Sequence, residues 1–126
     1  TKKIVSAVGR IAAGSDEKLK LGNIDIRRDW GWAPEYVEAM WLMLQRDTPE
    51  DFVIATGHTF SLNEFVSTAF DLVNLDWRDH VVQDHKLYRP SDILINSADP
   101  SKANRLLNWT ANLHGKALVK AMLLEQ

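Results

Sequence analysis

Between Leu19 and Leu44 the chain reads strand, turn, strand, helix, and that order narrows the folds open to it more than any other stretch. Leu19 to Leu21 has the signal of a short strand. Gly22-Asn23 is a turn dipeptide, because glycine accepts backbone angles that other residues resist and asparagine can bond its own backbone. The chain then recrosses through Arg27, Arg28, Asp29 and Trp30 before reaching Pro34. Proline has a fixed φ and no N–H, which suits the first turn of a helix. From there Tyr36, Val37, Met40, Trp41 and Leu44 recur at helical spacing, while Glu35, Glu38 and Gln45 fall elsewhere. The pattern predicts one helix with the apolar face buried and the aromatic residues of the segment mostly in the core.

The rest of the chain alternates helices with short strands. Lys3 to Ala13 reads as a helix stopped by Gly14. Phe52 to Thr56 is a short apolar run closed by Gly57 and predicts a strand. Ser61-Leu62-Asn63-Glu64 is a capping box, so a helix should follow from about Leu62 to Val73, with Phe65, Ala69, Leu72 and Val73 inward. His80 to Gln83 and Ile93 to Ile95 are two further strand-like runs. Pro100 opens a short helix through Ala103, Leu106 and Leu107, and a last helix covers about Gly115 to Leu124. At 126 residues and 45% hydrophobic, the chain is long enough to bury a real core. With no internal repeats, it is expected to form a single unit over residues 1–126, of α/β class, or α+β as an isolated piece.

Composition excludes several kinds of function. The net charge of -2 lacks the basic footprint of general nucleic-acid binding, so any phosphate recognition must be local. There is no cysteine, which rules out disulfides and thiolate metal sites. No apolar run approaches membrane-spanning length and the first residues lack the hydrophobic stretch of a secretory signal, so a cytoplasmic protein is the default expectation. His58, His80, His85 and His114 are scattered and form no helical i, i+4 pair with a third ligand, as a zinc site requires. They are expected to be surface or hydrogen-bonded histidines. The carboxylates show no isolated pair that would point to hydrolase chemistry.

Arg27 and Arg28 are the residues whose chemistry stands out. A guanidinium can meet a phosphate with two parallel donors, which a lysine does less geometrically. Two arginines beside an aspartate are equally the makings of a solvated or salt-bridged surface pair, a common and energetically weak arrangement. The residue pattern alone leaves both readings open, and favours the second.

Seven blocks carry a resemblance to a known family: TKKI at Thr1 to Ile4, KLKLGN at Lys18 to Asn23, RRDWG at Arg27 to Gly31, YVEAMWLMLQ at Tyr36 to Gln45, EDFVIATG at Glu50 to Gly57, YRP at Tyr88 to Pro90 and DPSKA at Asp99 to Ala103. In order and spacing they resemble the C-terminal, substrate-binding half of the GDP-mannose 4,6-dehydratases, lyases of the extended short-chain dehydrogenase/reductase group. An arginine-aspartate-aromatic motif alone indicates only the wider nucleotide-sugar group. RDWG followed by YVEAMWLML and VIATG is much more specific.

The resemblance implies a GDP-sugar site. Lys3 matches a lysine at the start of a substrate-domain helix that can face the nucleotide. Leu21, Gly22 and Asn23 match a strand end that lines the base pocket, with Leu21 supplying apolar contact and Asn23 an amide that can donate and accept. Arg28 and Arg89 match two arginines that grip the diphosphate from two sides, with Pro90 stiffening the backbone beside the second. Asp92 stands where the family usually has glutamate, one methylene longer, at a position that can meet a ribose or sugar hydroxyl. Further departures are Thr59 to Phe65, where the family's THSVREF becomes TFSLNEF, and Leu94 and Asn96 after YRP.

The resemblance also implies what lies elsewhere. The family's glycine-rich dinucleotide turn and Tyr-x-x-x-Lys pair have no counterpart here: Gly9 and Gly14 do not make the fingerprint, and neither Tyr36 nor Tyr88 has lysine four residues on. In the family these motifs precede the point that Thr1 matches. The chain is therefore expected to be a fragment without dehydratase activity of its own. NADP is expected in the complete enzyme and no cofactor in this chain alone, with GDP-mannose or a related nucleotide sugar as partner and no nucleic acid or membrane. The equivalent half of another nucleotide-sugar epimerase or dehydratase, and a non-catalytic interaction module, are the alternatives. A unit separated from a cofactor domain should expose apolar surface and self-associate into a homo-oligomer.

Overall fold

A computed structural model describes residues 1–125. Five helices and four short strands follow in the order α1 (Lys2–Ala12), β1 (Leu19–Leu21), β2 (Arg27–Asp29), α2 (Ala33–Leu44), β3 (Thr59–Ser61), α3 (Leu62–Asp71), β4 (Val81–Gln83), α4 (Ser101–Leu107) and α5 (Gly115–Leu124). Single 3-10 turns at Trp77–Asp79 and His85–Leu87 flank β4. This is the mixed helix-and-strand architecture expected from the sequence.

The strands form two small ladders. β1 pairs with β4 in parallel, Leu19 opposite Val81 and Leu21 opposite Gln83. β2 pairs with β3 antiparallel, Arg27 opposite Ser61 and Asp29 opposite Thr59. On its other edge, Arg27 exchanges backbone bonds with Leu94 and Asn96.

Helix α1 presents Ile4, Val5, Val8 and Ile11 to the main core, the i, i+3, i+4, i+7 stripe of a half-buried helix. It stops where Gly14 takes φ +100, a conformation that only glycine adopts cheaply. Phe65, Val66, Ala69 and Phe70 of α3 and Val119 of α5 complete this core, together with Leu19, Leu21 and Ile24. A second cluster gathers Ala39, Ala103, Leu107, Trp109 and Ala111, with Tyr36, Met43, Phe52 and Ile54 packed against it.

Three sequence expectations are corrected by the packing. Helix α2 forms with the expected bounds, but Val37, Met40, Trp41 and Leu44 are its exposed face, Leu44 at 82%. The buried face is Tyr36, Ala39 and Met43. That face is selected because the Trp109 indole donates to the Glu35 carbonyl, while the Asn112 and Leu113 amides donate to the Glu35 carboxylate. Phe52 to Thr56 is irregular rather than a strand. Phe52 and Ile54 do alternate inward, but the Thr56 and Gly57 amides go to the Asp29 carboxylate instead of a ladder. Ile93 to Ile95 contributes one isolated bridge, Ile95 to Arg27, and its three side chains are exposed. A smaller difference is that α3 ends at Asp71, so Leu72 and Val73 are only partly buried before Asn74 turns the chain at φ 58.

The capping box at the start of α3 is formed as the sequence predicts. Ser61 Oγ accepts from the Glu64 amide at 3.1 Å, and the Ser61 amide donates to the Glu64 carboxylate at 2.6 Å. The Ser61 amide and hydroxyl, with the nearby Arg27 charge, hold the Glu64 carboxyl below its usual range. Ser61→Ala should lower stability by about 1 kcal/mol in urea denaturation. Because the folded-state pKa of Glu64 is depressed, its contribution is present above the ordinary glutamate range and is lost as pH falls through the lowered value. Glu64→Gln should flatten that acid limb of the stability profile.

Candidate functional site

One face of the fold carries a cavity of about 350 Å³ where β1, β2, α3 and the segment after β4 meet. Gly22 and Asn23 reach it from just past the end of β1, Arg28 from β2 and Trp30 from the residue after it, and Leu62 from the start of α3. Leu87, Arg89 and Asp92 close it from the other side, with Ile26 and Thr1 completing the wall.

Strand geometry explains why Arg28 faces the site. Successive side chains of a strand point to opposite faces. Asp29 on β2 turns toward the 56–57 loop, where its carboxylate accepts from the Thr56 amide at 3.0 Å, the Thr56 hydroxyl at 2.8 Å and the Gly57 amide at 2.8 Å. Arg28 therefore points the other way, into the cavity. Its guanidinium donates to the Asp92 carboxylate at 3.1 Å and to the Arg27 carbonyl at 2.9 Å. Both members of the Arg28–Asp92 ion pair retain about a quarter of their side-chain exposure, at 23% each. Trp30 forms a wall held edge-on against Phe60 at 5.0 Å and Phe65 at 5.6 Å, a geometry favoured by aromatic quadrupoles.

The opposite wall depends on a close backbone approach. The position a Cβ would take at Gly22 lies 2.7 Å from the Leu87 carbonyl oxygen. Only glycine lets the end of β1 and the His85–Leu87 turn come together there. That turn is set by Asp84, whose amide donates to the Leu21 carbonyl and whose carboxylate accepts from the Lys86 amide. It delivers Arg89 to the cavity rim. Among the described residues, no hydrogen bond or ion pair engages the Arg89 guanidinium, whereas Arg28 is already occupied.

Of the residues singled out from the sequence, Gly22, Asn23, Arg28, Arg89 and Asp92 line this one cavity. Asn23 uses its amide oxygen to accept from the Asp25 amide at 2.9 Å. Lys3 and Leu21 lie outside the lining. Lys3 Nζ donates to the Lys20 carbonyl at 2.6 Å, and the Leu21 side chain belongs to the main core. Sequence reasoning had not marked Ile26, Leu62 or Leu87 as cavity residues, nor Trp30. No local pattern distinguishes them from ordinary core positions. The histidines are not all isolated: His58 and His114 stack at 4.0 Å with parallel rings. Among the described residues no group of three histidine, cysteine or acidic side chains is placed to hold a metal ion.

Two guanidinium groups above a partly apolar wall are suited to an anion that also carries a flat or apolar portion. Each provides a fork of donors that matches the oxygens of a phosphate.

Comparison with known proteins gives a consistent picture. The sequence model of a family described as GDP-mannose 4,6 dehydratase matches residues 1–122. GDP-mannose 4,6 dehydratase 1 of Arabidopsis thaliana is 46% identical over 123 residues, covering 98% of this chain and 34% of the relative. GDP-mannose 4,6-dehydratase of Vibrio cholerae is 35% identical, covering 99% of this chain and 41% of the relative. The chain thus spans about a third of the length of the first of these relatives. Among solved structures, RMD from Pseudomonas aeruginosa complexed with NADPH has a TM-score of 0.80 at 19% identity, covering 98% of this chain and 41% of that one. UDP-glucose 4-epimerase from Thermotoga maritima with UDP-glucose has a TM-score of 0.79 at 19% identity, covering 96% and 38%. At that level of identity these structures bear on the fold alone. No helix among the described residues is long and apolar enough to cross a membrane.

The close approach at Gly22 makes a direct prediction. Gly22→Ala forces the Leu87 backbone away and should cost roughly 1–3 kcal/mol, as overpacking does. The loss would be read as a lower midpoint in thermal unfolding, and an unchanged midpoint would show that the 85–89 segment yields freely.

Proposed function

The chain belongs to the GDP-mannose 4,6-dehydratase family, and from that premise we propose that it is the C-terminal, substrate-binding portion of such an enzyme. Residues 1–126 act as one unit that holds a GDP-sugar, with the diphosphate between Arg28 and Arg89. The observation that carries this reading is that both arginines, from distant parts of the sequence, line the same cavity. A diphosphate spreads its charge over two groups, and charge-assisted bonds from two sides suit it better than from one. Gly22 and Asn23 approach the nucleotide from the end of β1. Trp30, Ile26 and Leu62 provide the apolar surface beside it.

The complete enzyme, on this reading, converts GDP-mannose to its 4-keto-6-deoxy product with NADP. Oxidation at C4, loss of water across C5 and C6 and return of hydride to C6 belong to the cofactor-binding portion. The present chain contributes binding and orientation of the sugar nucleotide, so by itself it is inactive as a dehydratase. The exposed stripe of α2, Val37, Met40, Trp41 and Leu44, is the surface that the rest of the enzyme covers. In the separated chain that stripe drives homo-oligomerisation.

Two experiments test these assignments. In calorimetric titrations with GDP, GDP-mannose and UDP, the guanine ligands should bind preferentially. Arg28→Ala should weaken them by about 1.5–3 kcal/mol, as expected for a lost bond to a charged group. Equal affinity for UDP would remove the guanine assignment, and indifference to Arg28→Ala would remove the diphosphate assignment. Sedimentation should find a dimer or larger species that Trp41→Lys shifts toward monomer. A wild-type chain that stays monomeric at high concentration would contradict the role given to the stripe.

A further inference from the structure

We propose that Asp92 is a built-in competitor for the anion, so that a diphosphate enters by exchanging with the Asp92 carboxylate on Arg28 rather than by adding to a vacant guanidinium. This rests on the phosphate-site reading above and specifies how that site is held before ligand arrives.

Three features converge on it. The Arg28 guanidinium is engaged at both terminal nitrogens, with one on Asp92 and the other on the Arg27 carbonyl. Arg89, on the same cavity, has no such partner among the described residues. Asp92 also sits in a turn closed by its own amide on the Arg89 carbonyl at 3.2 Å, so the same short loop supplies both the free cation and the carboxylate that occupies the other one.

Electrostatics then favours exchange. With Asp92 in place, two arginines and one carboxylate leave the side chains of the pocket a net single positive charge. A diphosphate that joined Arg28 without displacing Asp92 would set like charges against each other in a partly enclosed space. The pair can be opened because it is a single contact at 3.1 Å between side chains that each keep 23% of their exposure, so water can reach both groups as they part. A multiply charged ligand that also engages Arg89 can replace the contact. A singly charged anion gains too little to do so, so the pair favours diphosphates over simpler anions. Asp92 is thereby a selectivity device, beyond any contact its carboxylate makes with a hydroxyl.

Inorganic pyrophosphate is the probe, because it has the diphosphate charge and lacks ribose, base and sugar. Titrated into the whole chain, it should bind Asp92→Asn more tightly than wild type by roughly two- to fivefold, on the scale of a lost competing ion pair. Asp92→Ser, which leaves no amide to pair with Arg28, should reproduce the gain if the asparagine variant folds poorly. In an Arg28→Ala background, the gain from either substitution should shrink to the smaller part that comes from removing a like charge, because there is no guanidinium left to release. A gain of undiminished size without Arg28 would mean that Asp92 acts only by repulsion through space and would overturn the exchange. No change in either Asp92 variant, with GDP still bound and still weakened by Arg28→Ala, would overturn it while leaving the phosphate site intact. If neither GDP nor pyrophosphate binds wild type or the variants, the phosphate-site reading falls and the exchange falls with it.

Discussion

The Asp29 carboxylate is the interaction on which the rest of the site depends. It collects two backbone amides and a hydroxyl from Thr56 and Gly57. A carboxylate that accepts several bonds in a partly buried setting replaces the hydration it gives up. Through those bonds it aligns β2 with the loop that leads into β3. β3 runs directly into Ser61, the capping residue of α3, whose Phe65, Val66 and Phe70 lie in the main core. One side chain thus joins the strand that carries Arg28 to the helix that anchors the fold. The pleat does the rest, since Asp29 turned toward the loop leaves Arg28 turned toward the cavity.

The cavity has one wall that is rigid and one that is held by proximity. On the rigid side, Trp30 is fixed edge-on against two phenylalanines. On the other side, the His85–Leu87 turn lies against Gly22 so closely that a methyl group would not fit. Arg89 and Asp92 follow that turn into exposed chain, with fewer constraints than Arg28. The ion pair from Asp92 back to Arg28 is the tie that crosses the cavity. An arrangement in which a cation is paired internally until a better anion arrives trades some affinity for selectivity.

Helix α2 shows how far the sequence could be followed before tertiary structure intervened. Its bounds and its period were legible, because Pro34 and the recurrence of apolar residues are local signals. Which face it buries was not. The larger and more apolar stripe, Val37, Met40, Trp41 and Leu44, is exposed, while Tyr36, Ala39 and Met43 are inward. The choice is made by Glu35 and Trp109, which lie far apart in sequence and meet only in the fold. A stripe of that composition facing solvent is the kind of surface that partners cover. The run from Phe52 to Thr56 fails as a strand for a related reason: its alternation is real, but Asp29 takes the amides at its end that a ladder would have used.

What the sequence by itself determined is the set of local structures and the kinds of residue available to the site. The order of helices and short strands, the capping box at Ser61, the stop at Gly14 and the helix from Gly115 all follow from propensities and spacings a few residues long. The choice of Arg28, Arg89, Gly22, Asn23 and Asp92 as residues worth following came instead from the family resemblance, because the residue pattern alone favours a surface arginine pair and an ordinary turn. Only the tertiary structure decided that these five line one cavity, that Lys3 and Leu21 lie outside its lining, and that Asp92 is spent on Arg28. The physical reason is range. Caps, turns and helical periods are set by neighbours along the chain, whereas the partner of a guanidinium, the face a helix buries and the room beside a glycine are set by segments that meet only after folding.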